Sequence, residues 1–311
     1  MDKREKREVD IKFKKMQDRY EQAQVYAFSM FTDEFRNLAL SIFKWKLVDD
    51  KYTNMMLNDR IEQLLYETGM VTIFRDKKDG VVKVGNVGGS IKYNYLMIPQ
   101  KWGAVFPNGE MVNDVTIDNG VIIYNNKTHT PTQAYADYVA SKMVATDVTI
   151  DQQLIAHRVP FTFTGEENDM LTFKLAYEKI SGGVPVIYLD NAKLSNDKSV
   201  FNVFNSDIEY KADKLMDLFD KYENRFLKAI GLQSNYIEKK AQQNEEEINK
   251  NDDIILVNFA SYKEEREHAI EILKNIVGFE SVSLEVNEFL TLQRGEKNGN
   301  REDKKKEEDE L

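Results

Sequence analysis

Two long helical segments of similar length dominate the sequence pattern. The first is predicted over residues 131–157, because Thr130–Gln133 places Thr at the N-cap, Pro at N1 and Gln at N3, each favoured at a helix start. The second is predicted over residues 207–231, from a capping box at Ser206–Glu209 to Gly231, which suits the left-handed position after a last turn. At about 1.5 Å per residue they are roughly 40 and 36 Å long. The residues between them are predicted to form a small α/β module at one end of a long helix pair.

The other segments predict an α+β protein that is mainly helical. Apolar residues at helical spacing predict helices over residues 20–46 and 58–68, the second ended by Gly69. Apolar runs bounded by turn residues predict four strands, at 71–74, 81–87, 93–98 and 121–124. Further along, the patterns predict a polar loop at 232–253, an ordered segment at 254–257, a helix at 261–276 ended by Gly278, and a charged, solvated tail.

The second long helix carries its charges in separate sectors of its circumference. At 100° per residue, one sector holds Lys211, Lys214, Lys221, Arg225 and Lys228, and the adjacent one holds Glu209, Asp213, Asp217, Asp220 and Glu223. Apolar residues fill most of the remainder, namely Leu215, Phe219, Tyr222, Phe226 and Ile230. This pattern fits a surface helix with i,i+4 ion pairs. It equally fits a helix that meets a copy of its own subunit head to tail, since such a contact joins two different faces.

The first long helix is apolar around almost its whole circumference. Only Asp137, Asp147 and Asp151 form a narrow acidic stripe on it. Such a helix is expected to be buried on several sides, with the stripe facing a shared lumen. A helix in the core of a single domain is the alternative.

Composition and missing motifs exclude several classes of function. The 311 residues include no cysteine, which excludes disulfides and thiolate metal sites, and the net charge of −10 disfavours a broad basic face for nucleic acid. No phosphate-binding loop motif is present, and the three histidines, His129, His157 and His268, lack metal or catalytic spacing. We therefore expect no enzyme activity, no cofactor and no metal. No window is apolar enough to predict a membrane helix.

Two short regions carry clustered lysines or arginines in a chain that is acidic overall. Residues 1–19 hold eight Lys/Arg against five Asp/Glu, a net of +3, which fits either a solvated, frayed terminus or a basic arm that binds a polyanion. In the polar loop, Lys239 and Lys240 precede Glu245, Glu246 and Glu247. By themselves these loop charges are typical of a solvated segment.

Several short sequences, in order along the chain, resemble those of a known family. They are Ile42–Trp45, Gly120–Asn126 followed by Thr130–Thr132, Pro185–Ile187, Asp213–Leu215, Ala229–Leu232 and Glu238–Lys240. With the long helix pair and the overall length, they resemble the portal proteins, also called upper collar or head-tail connector proteins, of small short-tailed, protein-primed phages. The resemblance extends from about residue 30 to residue 290.

The resemblance implies a twelve-subunit ring at the capsid vertex of the virion, assembled in the host cytoplasm, through which double-stranded DNA is packaged and ejected. Its regions would be a basic arm at 1–19, a wing at 20–130, stem helices at 131–157 and 207–231, a clip at 158–206, a tunnel loop at 232–253 and a crown with tail at 254–311. Implied partners are the major capsid protein, the packaging ATPase motor and the lower collar or tail proteins, with no membrane. In the tunnel loop, Lys239 and Lys240 would contact DNA and Glu245–Glu247 would keep that contact weak.

Three other interpretations stay open at the level of the sequence. One is a different head-tail ring component, such as a lower collar or adaptor. Another is an acidic cytosolic helical protein that binds a protein partner. The third is an enzyme with an unrecognised site, which measured hydrolytic activity would support. Ring formation by the purified chain distinguishes the ring proteins from the binding protein.

Overall fold

A computed structural model describes residues 3–158, 210–233 and 245–287 of the chain. The chain divides into two compact units: residues 1–30 with 140–223, and residues 31–139 with 224–311. Most of the described hydrophobic core belongs to the second unit, which we call the sheet unit. None of the helices in the described ranges is both long and apolar enough to cross a membrane.

Five helices lie in the described ranges, and most begin or end at residues that favour a helix boundary. They are α1 (Lys3–Leu40), α2 (Lys51–Thr68), α3 (Gln133–Arg158), α4 (Ala212–Ala229) and α5 (Glu245–Lys274). The carboxylate of Asp50 accepts a hydrogen bond from the amide of Thr53 and caps α2. Gly69 ends the same helix at φ 81°, as the sequence predicts.

Within its described residues, the sheet unit has seven strands in two antiparallel sheets. The strands are β1 (Phe43–Lys46), β2 (Met70–Arg75), β3 (Val82–Tyr93), β4 (Pro99–Val105), β5 (Met111–Thr116), β6 (Gly120–Tyr124) and β7 (Ser283–Val286). The larger sheet has the order β5-β4-β3-β2-β6, and β1 pairs with β7. The mixed helix and strand content agrees with the predicted α+β class.

Both faces of the larger sheet are buried, and successive residues of its central strands alternate between the two faces. Val71 and Ile73 of β2 join one core with residues of α2 and α5, whereas Phe74 joins the other core with Trp102. The indole N–H of Trp102 donates to the buried hydroxyl of Thr72 at 2.7 Å. A single core therefore joins the sheet to residues 269–282, a range that the sequence analysis separated from it.

Two predicted elements are wrong near the sheet. Residues 43–46 form a strand rather than the end of a helix, because Phe43 and Trp45 alternate with exposed lysines and face the core. Residues 94–98 form a turn rather than a strand, because the side chain of Asn94 holds the backbone back on itself. Strands β4 and β5 were not predicted.

The start of α3 lies two residues beyond the predicted one. The amides of Tyr135 and Ala136 donate to the carbonyl oxygen of Thr132, so the helix begins at Gln133. The side chain of Asn125 donates to both the carbonyl of Thr130 and the hydroxyl of Thr132. These bonds hold residues 130–132 outside the helix.

Other helix ends also differ from the predicted ones. Helix α1 includes residues 3–19, so these residues are helical rather than frayed. Tyr210 and Lys211 are not helical, so α4 begins at Ala212, and the predicted capping box at Ser206–Glu209 lies outside the described residues. The predicted loop at 232–253 is wrong for residues 245–253, which begin α5.

Candidate channel and subunit interface

The three aspartates of the predicted channel stripe have different surroundings on α3. Asp147 and Asp151 are exposed, whereas Asp137 is half-buried. Partial desolvation raises the pKa of Asp137, and the same effect, with the charge of Asp151, raises the pKa of the largely exposed Asp147. Burial, together with the charge of Asp137, raises the pKa of Tyr66 to about 12. Asp147 and Asp151 are thus available to solvent, while Asp137 interacts with a buried tyrosine of its own unit.

Helix α3 is buried along one face in the single chain, not on several sides. Ala136, Val139, Ala140 and Met143 are buried, at the spacing of one helix face. Tyr138 and Leu154 are exposed. These apolar side chains therefore lie on a surface that the single chain does not cover.

On α4, the apolar residues near the end of the helix are buried and most of the predicted charged residues are not. Phe226 and Ile230 are fully buried, and the ring of Phe226 stacks on that of Phe35 with centroids 4.0 Å apart. Most of the predicted charged residues are exposed, namely Lys211, Lys214, Lys221, Arg225, Asp213 and Asp217, while Lys228 and Asp220 are half-buried. The basic and acidic sectors thus both present charge at the surface, which fits a solvated helix with i,i+4 ion pairs and a head-to-tail contact equally.

The end of α4 lies directly against α5. Gly231 has φ 79°, and the amide of Leu232 donates to the carbonyl of Leu227, which completes a glycine C-cap. A Cβ atom on Gly231 would lie 2.5 Å from Cβ of Phe259, so only glycine fits this contact. Asn258 also donates to the carbonyl of Lys228 at 2.8 Å.

A buried ion pair that the sequence analysis missed joins α5 to α2. Arg266 donates to both carboxylate oxygens of Glu62, at 3.0 and 2.7 Å, and both side chains are almost fully buried. Trp45 donates its indole N–H to Glu62, and Arg266 also donates to the carbonyl of Asn125. The guanidinium lies 4.4 Å from the centroid of Phe43.

The sequence gives no distinct signal for this pair, since Glu62 lies beside Gln63 between Ile61 and Leu64, which is the spacing of an ordinary amphipathic helix. A charged residue at a core position is expected to have a buried partner. The sequence does not identify that partner, because Arg266 lies 204 residues away.

The predicted tunnel-loop residues fall into two groups. Lys239 and Lys240 lie outside the described residues. Glu245, Glu246 and Glu247 begin α5, where negative charge is favourable because a helix N-terminus carries partial positive charge. Within the described ranges, no group of three or more acidic or histidine residues could hold a metal ion.

Reversing charge on the basic sector of α4 is expected to weaken assembly. In Lys221→Glu/Arg225→Glu, the altered sector would repel the acidic sector of an adjoining copy. We expect a several-fold lower ring yield by size-exclusion chromatography with light scattering. The matched control is Lys77→Glu/Lys78→Glu, which makes the same charge change in an exposed turn of the sheet unit. Equal ring yields for the two variants would show that the α4 charges only face solvent.

Comparison with known proteins identifies the family of this chain. A family model described as Phage Connector (GP10) matches residues 10–290. The chain therefore belongs to the phage connector family. This membership confirms the resemblance found in the sequence, and it gives the chain a structural portal role in the virion, with an oligomeric ring and association with capsid and tail. The family is a structural one rather than a family of enzymes.

Two solved structures are similar to this chain. A chain from the portal and tail of native bacteriophage P68 is 12% identical, with 88% of each chain covered and a TM-score of 0.44. An HK97 family phage portal protein from Corynebacterium diphtheriae is 11% identical, with 84% of this chain and 93% of that chain covered and a TM-score of 0.46.

Proposed function

We propose that this chain is the repeated subunit of a twelve-membered ring at the capsid vertex, through which double-stranded DNA enters during packaging and leaves during ejection. The observation that carries the proposal is the family match over residues 10–290. The ring would contact the major capsid protein, the packaging ATPase motor and the lower collar or tail proteins. Assembly would take place in the host cytoplasm.

The charge balance of the chain suits a channel that DNA must slide through. A lumen that neutralised many phosphates would bind DNA tightly, because counterion release would favour every contact. The net charge of −10 opposes such binding, and the exposed Asp147 and Asp151 carry acidic charge on α3. In a closed ring each isolated lysine would be repeated in every subunit and would form a belt of weak contacts.

Within this proposal, residues 131–157 and 207–231 are the stem, 158–206 the clip, 20–130 the wing and 254–311 the crown with its tail. The tunnel loop would then end at residue 244, because α5 already includes Glu245, and its start at residue 232 is unchanged. The basic segment 1–19 would bind an acidic surface of the motor or its RNA.

Removing the loop lysines is expected to reduce genome retention without reducing ring assembly. In Lys239→Ala/Lys240→Ala, two phosphate contacts per subunit would be lost, and packaged DNA would slip back from full heads. The measurement is DNA content of purified particles, with Lys77→Ala/Lys78→Ala as the matched control. DNA retention equal to that of the control would show that Lys239 and Lys240 do not hold the packaged genome.

A further inference from the structure

The guanidinium of Arg266 donates hydrogen bonds in several directions from one buried position. Its Nε and Nη2 bind the two carboxylate oxygens of Glu62, and its Nη1 binds the carbonyl oxygens of Asn125 and Tyr262 at 2.9 Å each. Nη2 also reaches the side-chain oxygen of Asn125, at 3.4 Å. An arginine has five N–H donors, so all of them are used here. A buried guanidinium bonded in this way is held in one orientation, and it can hold its partners in place.

Asn125 connects Arg266 to the residues that precede α3. It directly follows β6, and its side-chain amide donates to the carbonyl of Thr130 at 3.0 Å and to the hydroxyl of Thr132 at 2.8 Å. Its backbone amide donates to the carbonyl of Gly69 at 2.9 Å. Asn125 and Thr132 are both buried, where a polar atom without a hydrogen bond is costly. These bonds therefore fix the segment before α3 relative to Arg266.

Thr132 extends this chain of bonds into the first turn of α3. Its carbonyl oxygen accepts from the amides of Tyr135 and Ala136, at 3.1 and 3.0 Å. These are the first hydrogen bonds of the helix, so the position of Thr132 sets where α3 starts. The hydroxyl of Thr132 also lies 3.4 Å from that of Tyr262, which is one turn before Arg266 on α5.

The segment before α3 also has exposed contacts with α5. The amide of Lys127 donates to the hydroxyl of Ser261 at 3.1 Å, and its ammonium forms an ion pair with Glu264. Both members of that pair are more than half exposed. Because exposed ion pairs contribute little to stability, the buried bonds that begin at Arg266 are the stronger restraint.

The end of α4 is held by other residues of α5. Phe259 lies against Gly231, and the side chain of Asn258 donates to the carbonyl of Lys228. Arg266 takes part in neither contact. Helix α5 therefore holds the start of α3 and the end of α4 through two separate sets of contacts, and all of these residues belong to the sheet unit.

From these contacts we infer that Arg266 is a positioning residue for the start of α3 and that it acts through Asn125. The inference rests on the proposed function, in which α3 and α4 are the stem helices, and it adds that α5 sets where both of them join the sheet unit. A closed ring needs the same contact geometry in every subunit. A fixed start for a stem helix favours such a ring.

Arg266→Lys tests the inference, because lysine keeps the positive charge beside Glu62 but lacks the planar fork of donors. The measurement is hydrogen exchange of the full-length chain, followed by mass spectrometry of its peptides. Exchange of residues 126–136 should become roughly tenfold faster, because the bonds to Asn125 are lost. Exchange of residues 226–232 should not change. The matched control Arg36→Lys makes the same substitution in a partly exposed pair with Glu67 and should change neither peptide.

Asn125→Ala breaks the same chain of bonds one residue further on and leaves the pair of Glu62 and Arg266 in place. It should speed exchange of the same residues 126–136. In the double variant Arg266→Lys/Asn125→Ala, the effect should be little larger than the larger single effect, because both changes remove one connection.

Unchanged exchange of residues 126–136 in Arg266→Lys would overturn the inference, as would single effects that simply add in the double variant. Equal acceleration at residues 226–232 would mean that the substitution loosens the whole sheet unit, and it would also overturn the positioning role. Electron microscopy of the same samples tests the proposed function separately. Absence of rings from the unaltered chain would overturn that function, whereas the link from Arg266 to α3 depends on the exchange data alone.

Discussion

Arg266→Met is expected to lower the free energy of unfolding of the sheet unit by about 3–5 kcal/mol, because it leaves the carboxylate of Glu62 buried without its cation. The carbonyl of Asn125 also loses a donor. The measurement is urea unfolding at fixed protein concentration, followed by tryptophan fluorescence. Both tryptophans of the chain, Trp45 and Trp102, are buried in this unit and report its unfolding.

A second variant separates the charge effect from loss of packing. In Glu62→Gln/Arg266→Met the amide is neutral and still accepts from the indole of Trp45, so the double variant should regain about 2 kcal/mol of the loss. The control Lys263→Met removes an exposed ion pair with Glu267 on the same helix and should change the stability by less than about 1 kcal/mol. If Arg266→Met unfolds at the same urea concentration as that control, the buried pair does not stabilise the fold.

Gly231→Ala is expected to destabilise the contact between α4 and α5 by about 2–4 kcal/mol. One part of the cost is the left-handed backbone at φ 79°, which a side chain disfavours. The other part is steric, since the added carbon would lie 2.6 Å from Cα of Phe259 and would force the helix ends apart. The same fluorescence-detected unfolding measures the loss.

Gly109→Ala is the matched control for Gly231→Ala, because Gly109 has φ 83° and no atom within 4 Å of the position a Cβ would take. It therefore carries the backbone cost alone, about 1 kcal/mol. A loss for Gly231→Ala no greater than that for Gly109→Ala would show that α4 and α5 do not pack rigidly against each other.

Strong local signals made some elements of the fold predictable from the sequence. Gly69 and Gly231 end helices where the sequence places them, because the left-handed position after a helix favours glycine. Strands β2 and β6 were predictable because they are short apolar runs between turn residues. The inward face of α4 followed from its spacing of Phe226 and Ile230.

Elements that depend on distant partners were not predictable. Strand β1 follows a helix and was predicted to continue it, but it pairs with β7, about 240 residues further along. The first turns of α5 are too polar to show helical periodicity, and the pair between Glu62 and Arg266 depends on tertiary packing. The turn at residues 94–98 was not predictable, because its apolar residues have the pattern of a strand. Only the hydrogen bonds of the Asn94 side chain show that the backbone turns there.

The charged sectors of α4 show how much of the candidate interface the sequence can predict. Periodicity predicted which residues share a face, and the structure leaves most of them exposed. Which residues of an adjoining copy those charges meet is set by assembly. The head-to-tail arrangement therefore stays a prediction that depends on assembly.

Electron microscopy of the purified full-length chain tests the central claim most directly. The account predicts closed rings of twelve identical subunits with an axial hole wide enough for a DNA duplex, formed without any other phage protein. Particles that stay monomeric, or that stop at symmetric dimers over a wide range of concentration, would contradict it.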